Sequence, residues 1–255
     1  LVHGLSDSPH FVSGIAEFFH TELGYNVYLP LLHCHGLQEP QGMEGVELEE
    51  WERNIAFAIG WAEDKADVVS VGGLSTGGTL SLAFGASHPG VNGAVYLFSA
   101  ALDLAGGPLG LVGEVQERLL RTFLADVFDL NRNLIGDNPY RYHHVDLDGA
   151  RELARLIKRV DTMLAGFGPA KPYPLPVFAA HSAADRTASI AGIEHLERVC
   201  NQDQFRLLVF PKEEGVKHAS LVLNKSITGI DEEELANPRF AEMMEQLRLF
   251  SDSLR

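Results

Sequence analysis

The segment running from Val68 to Phe84 constrains the fold of this chain more than any other. Val68-Val69-Ser70-Val71 is β-branched and nearly all apolar, as a parallel strand covered on both faces should be. It leads through Gly73-Leu74-Ser75-Thr76-Gly77-Gly78 into Leu80, Ala83 and Phe84, which share one side of a helix. A buried strand that turns into a helix through G-x-S-x-G places the serine on a sharp, strained corner, with its hydroxyl projecting from the C-terminal edge of a sheet. The glycines two residues to either side are expected because a Cβ there would strike neighbouring backbone. The same pattern occurs in loops that carry no chemistry, and a plain strand-to-helix turn is the alternative. The flanking elements favour Ser75 as a nucleophile.

The remainder of the chain alternates in the way such a strand requires. Ser8-Pro9 reads as an N-cap with proline at the first helical position, and Phe11, Ile15, Phe18 and Phe19 share a face up to Gly24, predicting a helix over 9–23. Tyr25-Asn26-Val27-Tyr28-Leu29 predicts a short strand before Pro30. Residues 47–64, striped by Trp51, Ile55, Ala58 and Ile59, predict the next helix. Ala94-Val95-Tyr96-Leu97-Phe98 predicts a further strand.

Alternation stops between 102 and 170, where helical patterns appear at 112–127 and 149–164. It resumes after Pro169, Pro172, Pro174 and Pro176 with strand Val177-Phe178-Ala179-Ala180, helix 190–199, strand 205–210 and a last helix over 237–254. The expected architecture is α/β: a mostly parallel, doubly wound sheet with a right-handed crossover between strands. Residues 1–101 and 171–255 form the core, and 102–170 form an inserted helical cap. Leu1-Val2-His3-Gly4 reads as the end of a strand entering a functional loop, so further N-terminal strands are expected upstream.

Composition narrows the function. With 20 Lys+Arg against 35 Asp+Glu, the net charge is −15, which repels nucleic-acid backbones and anionic lipid surfaces, so no nucleic-acid partner is expected. No run of about 18 apolar residues is present, so no integral membrane span is expected either. The default address is cytoplasmic, and the default state a monomer or homodimer. Cys34 and Cys200 are far apart and form neither a disulfide framework nor a zinc pattern. His33-Cys34-His35 could contribute metal ligands, but no second cluster completes a tetrahedral site, so no metal is expected.

A serine hydroxyl is a poor nucleophile at neutral pH and needs an adjacent imidazole, held in turn by a carboxylate. The acid is expected after the strand that follows the cap, where Ala180-His181-Ser182-Ala183-Ala184-Asp185 offers Asp185. A helix-capping role for Asp185, and Asp103 as a competing acid, are the alternatives. Of 11 histidines, His218 lies in the loop after the last strand, which returns to the sheet edge that carries Ser75. His20, His88, His143, His144 and His195 lie on helices or in the cap, where packing or surface roles are expected. The oxyanion of an acyl-transfer intermediate needs two preset N–H donors. Thr76, after the nucleophile, and Leu5, beside Gly4, are the candidates; His3 is read as structural.

Taken together, these segments resemble the α/β-hydrolase superfamily, and within it the bacterial carboxylesterase and monoacylglycerol lipase group. Leu1-Val2-His3-Gly4-Leu5-Ser6-Asp7-Ser8-Pro9 is similar to that group's oxyanion segment, Pro30 to Gly36 to its strand-end loop, and Trp51 to a tryptophan that precedes the nucleophile strand. The loop here reads His-Cys-His-Gly where the group usually has Gly-His-Gly. The resemblance implies an eight-stranded sheet, a mobile cap, and hydrolysis of small-molecule carboxylic esters through an acyl-enzyme without a cofactor. Short to medium acyl chains, and possible monoacylglycerol substrates, are part of that expectation. Leu119, Leu120, Phe123, Leu124 and Phe128 would line an apolar acyl pocket or simply pack the cap. Amide, thioester or carbon–carbon cleavage by the same residues, or a non-catalytic receptor on the same fold, are the alternatives.

Overall fold

The structure is a computed structural model that describes residues 1–37, 42–104, 138–143, 146–229 and 233–255. Its centre is a parallel sheet of β1 (Val71–Leu74), β2 (Val95–Phe98), β3 (Val177–Ser182) and β4 (Phe205–Phe210), in that spatial order. Val71, Val95, Val177 and Phe205 stand in one row across it. Val2 adds a one-residue parallel bridge to Gly73 on the free side of β1, giving its N–H to the Gly72 carbonyl at 2.8 Å. The resemblance implied eight strands; the described residues supply these four and the Val2 bridge.

Successive strand residues point to opposite faces, and each face has its own apolar core. Val95, Leu97, Val177 and Ala179 pack with α2 (Leu48–Glu63), α3 (Thr76–Ser87), α4 (Leu147–Leu164) and α5 (Ile190–Val199). Tyr96, Phe98, Phe178 and Ala180 pack with α1 (Ser13–Thr21) and α6 (Phe240–Ser253). Helices on both faces make the sheet doubly wound, as the alternation predicts. A separate antiparallel pair, β5 (Ile227–Thr228) and β6 (Glu233–Glu234), lies near the end of the chain.

Three local expectations are corrected. The predicted first helix opens as a 3-10 turn over Pro9–Val12, and only then becomes α1. Residues 25–29 form no ladder. Tyr25, Val27 and Leu29 pack on the core while Asn26 and Tyr28 face solvent, so the alternation was legible, but among the described residues the segment is tied to the chain's opening residues only by the Leu1 amino group on the Tyr28 carbonyl. The strand predicted at Val68 begins at Val71, because Val68 is 63% exposed and the ladder is formed by the glycine-bearing residues that follow.

Within 102–170, the described part includes α4, which covers the predicted helix at 149–164. Its Leu153, Leu156, Val160 and Leu164 are buried against the core. Arg155 and Arg159 reach across to Glu49 and Glu52 of α2, and the buried Glu152 accepts the Leu48 N–H at 3.1 Å. The helix predicted at 112–127 and the apolar residues Leu119 to Phe128 lie outside the described residues. Among the described residues, no helix is long and apolar enough to cross a membrane.

Candidate active site

Ser75 is the residue between β1 and α3, and the chain reverses there at φ 52°, ψ −118°. A non-glycine residue at positive φ costs roughly 1–3 kcal/mol and persists only where its surroundings hold it. They do so here: the Ser75 N–H donates to the Phe98 carbonyl at 3.0 Å, and its carbonyl accepts from Thr79 N at 3.1 Å and Ala101 N at 3.3 Å. The flanking glycines are needed for approach. A Cβ on Gly73 would lie 2.5 Å from the Val2 carbonyl oxygen, and one on Gly77 2.3 Å from the same atom. Strand, turn and helix therefore touch backbone to backbone.

Asp185 sits in the turn after β3, with its side chain inaccessible to solvent. Its Oδ1 accepts the N–H groups of Thr187 at 2.8 Å and Ala188 at 3.0 Å, while its Oδ2 accepts from His218 Nδ1 at 2.6 Å. The capping duty weighed for Asp185 falls instead to Ser189, whose hydroxyl accepts the Ala191 N–H at the start of α5. Asp103 folds its carboxylate back onto the N–H of Leu104 at 3.0 Å. The structure thus brings Asp185, not Asp103, to the imidazole.

Burial disfavours a charge on His218, but the Asp185 carboxylate beside it, through both charge and hydrogen bond, outweighs that and holds its pKa above the ordinary 6.5. Asp7 adds to the rise and Arg141 opposes it. Burial likewise works to raise the Asp185 pKa, yet His218 and the N–H donors leave it below 3.8. The pair is a carboxylate orienting an imidazole by its Nδ1–H, which leaves Nε2 for other work.

Ser75 and His218 line one cavity of about 570 Å³, together with Leu5, Ala101, Leu104, Leu153 and a polar group of residues. Among the described residues, the Ser75 hydroxyl makes no hydrogen bond, to His218 or to any other group. Leu5 and Thr76 are buried, and among the described residues the Leu5 N–H has no acceptor. Thr76 is the first residue of α3, so its N–H has no intrahelical acceptor. The two N–H groups expected to face an oxyanion are thus both uncommitted.

The structure also explains two segments that motif reasoning left open. His3 donates from Nδ1 to the Gly4 carbonyl at 2.9 Å and accepts the Leu32 N–H on Nε2 at 3.1 Å; burial, then His35, push its pKa down to about 3, so it is a neutral strut. His35 reaches the Leu5 carbonyl from Nε2 at 2.6 Å and so fixes the peptide after Leu5, while His3, through the Gly4 carbonyl, holds the peptide that carries the Leu5 N–H. Cys34, where the resembling group has glycine, stands at φ 60°, a conformation that favours glycine. His33 lies on the outside of this turn, 3.3 Å from Glu50.

Sequence reasoning missed one feature of the cavity. Arg141, its side chain 3% exposed, lies 2.9 Å from Asp7 and 2.7 Å from Glu234, and stacks 4.2 Å from the Phe11 ring centroid. All three charged residues line the cavity. They come from sequence-distant segments, and no local pattern announces such a cluster. Among the other histidines, His20 contacts the Tyr25 carbonyl, His88 accepts from Gly90 N, and His195 lies 3.9 Å from Asp161. His144 lies outside the described residues.

No family model matches the chain. A thermostable monoacylglycerol lipase of Bacillus sp. (strain H-257) is 34% identical over 113 residues, which is 44% of this chain and 44% of that protein, so the match spans less than half of either. Two solved structures superpose over nearly the whole chain. One, described for the metagenome-derived lipolytic enzymes LipS and LipT, has a TM-score of 0.67 at 19% identity, covering 98% of this chain and 91% of that one. The other, a monoacylglycerol lipase of Paleococcus ferrophilus, has a TM-score of 0.68 at 16% identity, covering 100% and 93%. At those identities, the structural likeness speaks to architecture. The parallel sheet, the helices on its two faces and the strained serine turn at its edge make this chain an α/β-hydrolase in fold, related in sequence over part of its length to a monoacylglycerol lipase.

Proposed function

We propose that the chain is a serine carboxylester hydrolase, with Ser75 as nucleophile, His218 as general base and then acid, and Asp185 as the group that orients His218. One observation carries this reading: the 2.6 Å contact between His218 and Asp185 at a cavity whose wall also holds the strained Ser75. The partial sequence likeness to a monoacylglycerol lipase supports carboxylic esters over amides, and short to medium acyl chains, monoacylglycerols included, are the proposed range.

Substrate binding would bring Ser75 into hydrogen-bond reach of His218 Nε2, since such contacts are commonly long in a free enzyme and tighten in the complex. The Ser75 oxygen attacks the ester carbon as its proton passes to Nε2. The oxyanion then forms hydrogen bonds with the N–H groups of Leu5 and Thr76. Collapse expels the alcohol, which takes the proton back from His218, and leaves an acyl group on Ser75. Water, activated by His218, repeats the sequence and releases the acid. No cofactor takes part. Residues 102–170 are proposed as the cap over this cavity, from which Arg141 and Leu153 reach its wall.

Steady turnover of p-nitrophenyl esters from acetate to octanoate, with an acyl-enzyme burst, is the expected result. Binding of these esters without turnover would place the chain with non-catalytic receptors instead. The acid limb of the pH profile provides a second check. The neutral imidazole is the active form, so kcat/KM should rise with pH through the His218 pKa, with its midpoint above 6.5, and be lost as pH falls below it. A midpoint below 6.5 in stopped-assay pH profiles would mean that Asp185 does not govern the base.

A further inference from the structure

The cavity wall changes character across the sheet. Ser75 follows β1 and the apolar wall residues Ala101 and Leu104 follow β2, whereas Arg186 follows β3, and Lys212 and Lys217 follow β4. The three cations are exposed and lie on the β3–β4 side of the nucleophile, where Ala184 and Ala219 also line the wall, while the larger apolar side chains of the wall are Leu5, Leu104 and Leu153. Among the described residues, none of the three side chains has an ion pair or hydrogen bond. Arg141, in the same wall, is by contrast held by two carboxylates, at 2.9 and 2.7 Å.

Lysines without an ion pair are common among the described residues, Lys158 and Lys225 included, so what marks Arg186, Lys212 and Lys217 is that all three line the cavity. Glu214, two residues after Lys212, is engaged by Arg239 at 2.8 Å, and the adjacent Glu213 makes no ion pair with Lys212. The backbones that carry the cations are also fixed. Arg186 lies in the turn pinned by Asp185 Oδ1 to Thr187 and Ala188, and Lys212 opens a turn closed by Gly215 at φ 63°. Lys217 directly precedes His218. Asp7 and Glu234 also line the cavity, but Arg141 engages both, so the lining cations without a partner are these three, and an excess of one sign concentrates ligands of the opposite sign even on a protein whose net charge repels them.

We propose that the preferred substrate is an apolar acyl ester of an alcohol that carries an anionic group, phosphate or carboxylate. The acyl chain lies along Ala101 and Leu104, and the anion meets Arg186, Lys212 and Lys217. This rests on the ester-hydrolase function proposed above and names the substrate class for that same site.

The test compares matched pairs that share one acyl chain: octanoylglycerol phosphate against octanoylglycerol, and octanoyl lactate against octanoyl lactamide. Each is assayed with the wild type and with Arg186→Gln/Lys212→Gln/Lys217→Gln. At low ionic strength, kcat/KM for the anionic member should exceed that of its neutral partner by roughly tenfold in at least one pair. The better pair identifies phosphate or carboxylate. The ratio should fall to about one in the triple variant and shrink for the wild type at about 0.5 M NaCl, where screening is nearly complete within a few ångströms. Ratios at or below one in both pairs, or a ratio that survives the triple substitution, would overturn the proposal while leaving ester hydrolysis intact. Failure to hydrolyse any of the four esters would instead overturn the hydrolase function on which it rests.

Discussion

Ser75→Ala is expected to abolish labelling by a fluorophosphonate probe and to lower kcat/KM for esters by roughly 10⁴- to 10⁶-fold. The substitution removes the oxygen proposed to attack, while the N–H groups of Leu5 and Thr76 remain. A residual rate above that of water is therefore expected from oxyanion stabilisation and binding alone. The fold should survive. The φ of 52° strains serine and alanine alike, the backbone hydrogen bonds to Phe98, Thr79 and Ala101 do not involve the hydroxyl, and that hydroxyl has no partner to lose among the described residues. Thermal unfolding of both proteins would check this. Equal labelling of wild type and variant would remove Ser75 from its role.

Asp185→Asn should have the second-largest effect, a loss of roughly 10³- to 10⁴-fold in kcat, with near-normal substrate binding. The two carboxylate oxygens do different jobs here. Oδ1 holds the turn through Thr187 and Ala188, and the asparagine carbonyl can keep both of those bonds. Oδ2 receives the His218 Nδ1–H at 2.6 Å, and an amide NH2 in its place offers a donor where an acceptor is needed. The imidazole must then present its lone pair to the amide and carry its proton on Nε2, which is the wrong form for taking a proton from Ser75. An intact Tm with lost kcat would separate this effect from misfolding. Retention of full activity would mean that another group orients His218.

Much of the candidate site's geometry was legible because the segments that carry Ser75, Asp185 and His218 each have a one-dimensional signature. The motif around Ser75 lies between a strand and a helix, as expected, although the strand runs over Val71–Leu74 and not over 68–71. Asp185 and His218 were assigned by the order of strands, and β3 and β4 deliver them to one another. Helix 190–199 and strand 205–210 were legible to the residue: the helix buries one face, and the strand is a short, mostly apolar run whose side chains divide between the two cores. Residues 25–29 were misread for a complementary reason: alternation reports which side chains face the core, but a strand also needs a neighbour to bond to, and pattern contains no information about neighbours.

Arg141 marks the boundary of sequence reasoning from the other side. Nothing within its own segment requires a buried guanidinium; that requirement arises only when Asp7 and Glu234 are folded beside it, and a buried cation is tolerable only with such carboxylates at hand. The unpaired state of Arg186, Lys212 and Lys217 is likewise a fact about distances, not letters.

The sequence by itself determined the fold class, the serine turn and the strand ends at which Asp185 and His218 follow it, because periodicity, glycine placement and chain order act locally or along the chain. Only the tertiary structure decided which carboxylate meets His218, what holds Leu5 in place and how charge is distributed around the cavity. Those are through-space contacts between segments up to about two hundred residues apart, and their energies depend on burial and distance, which no linear pattern encodes.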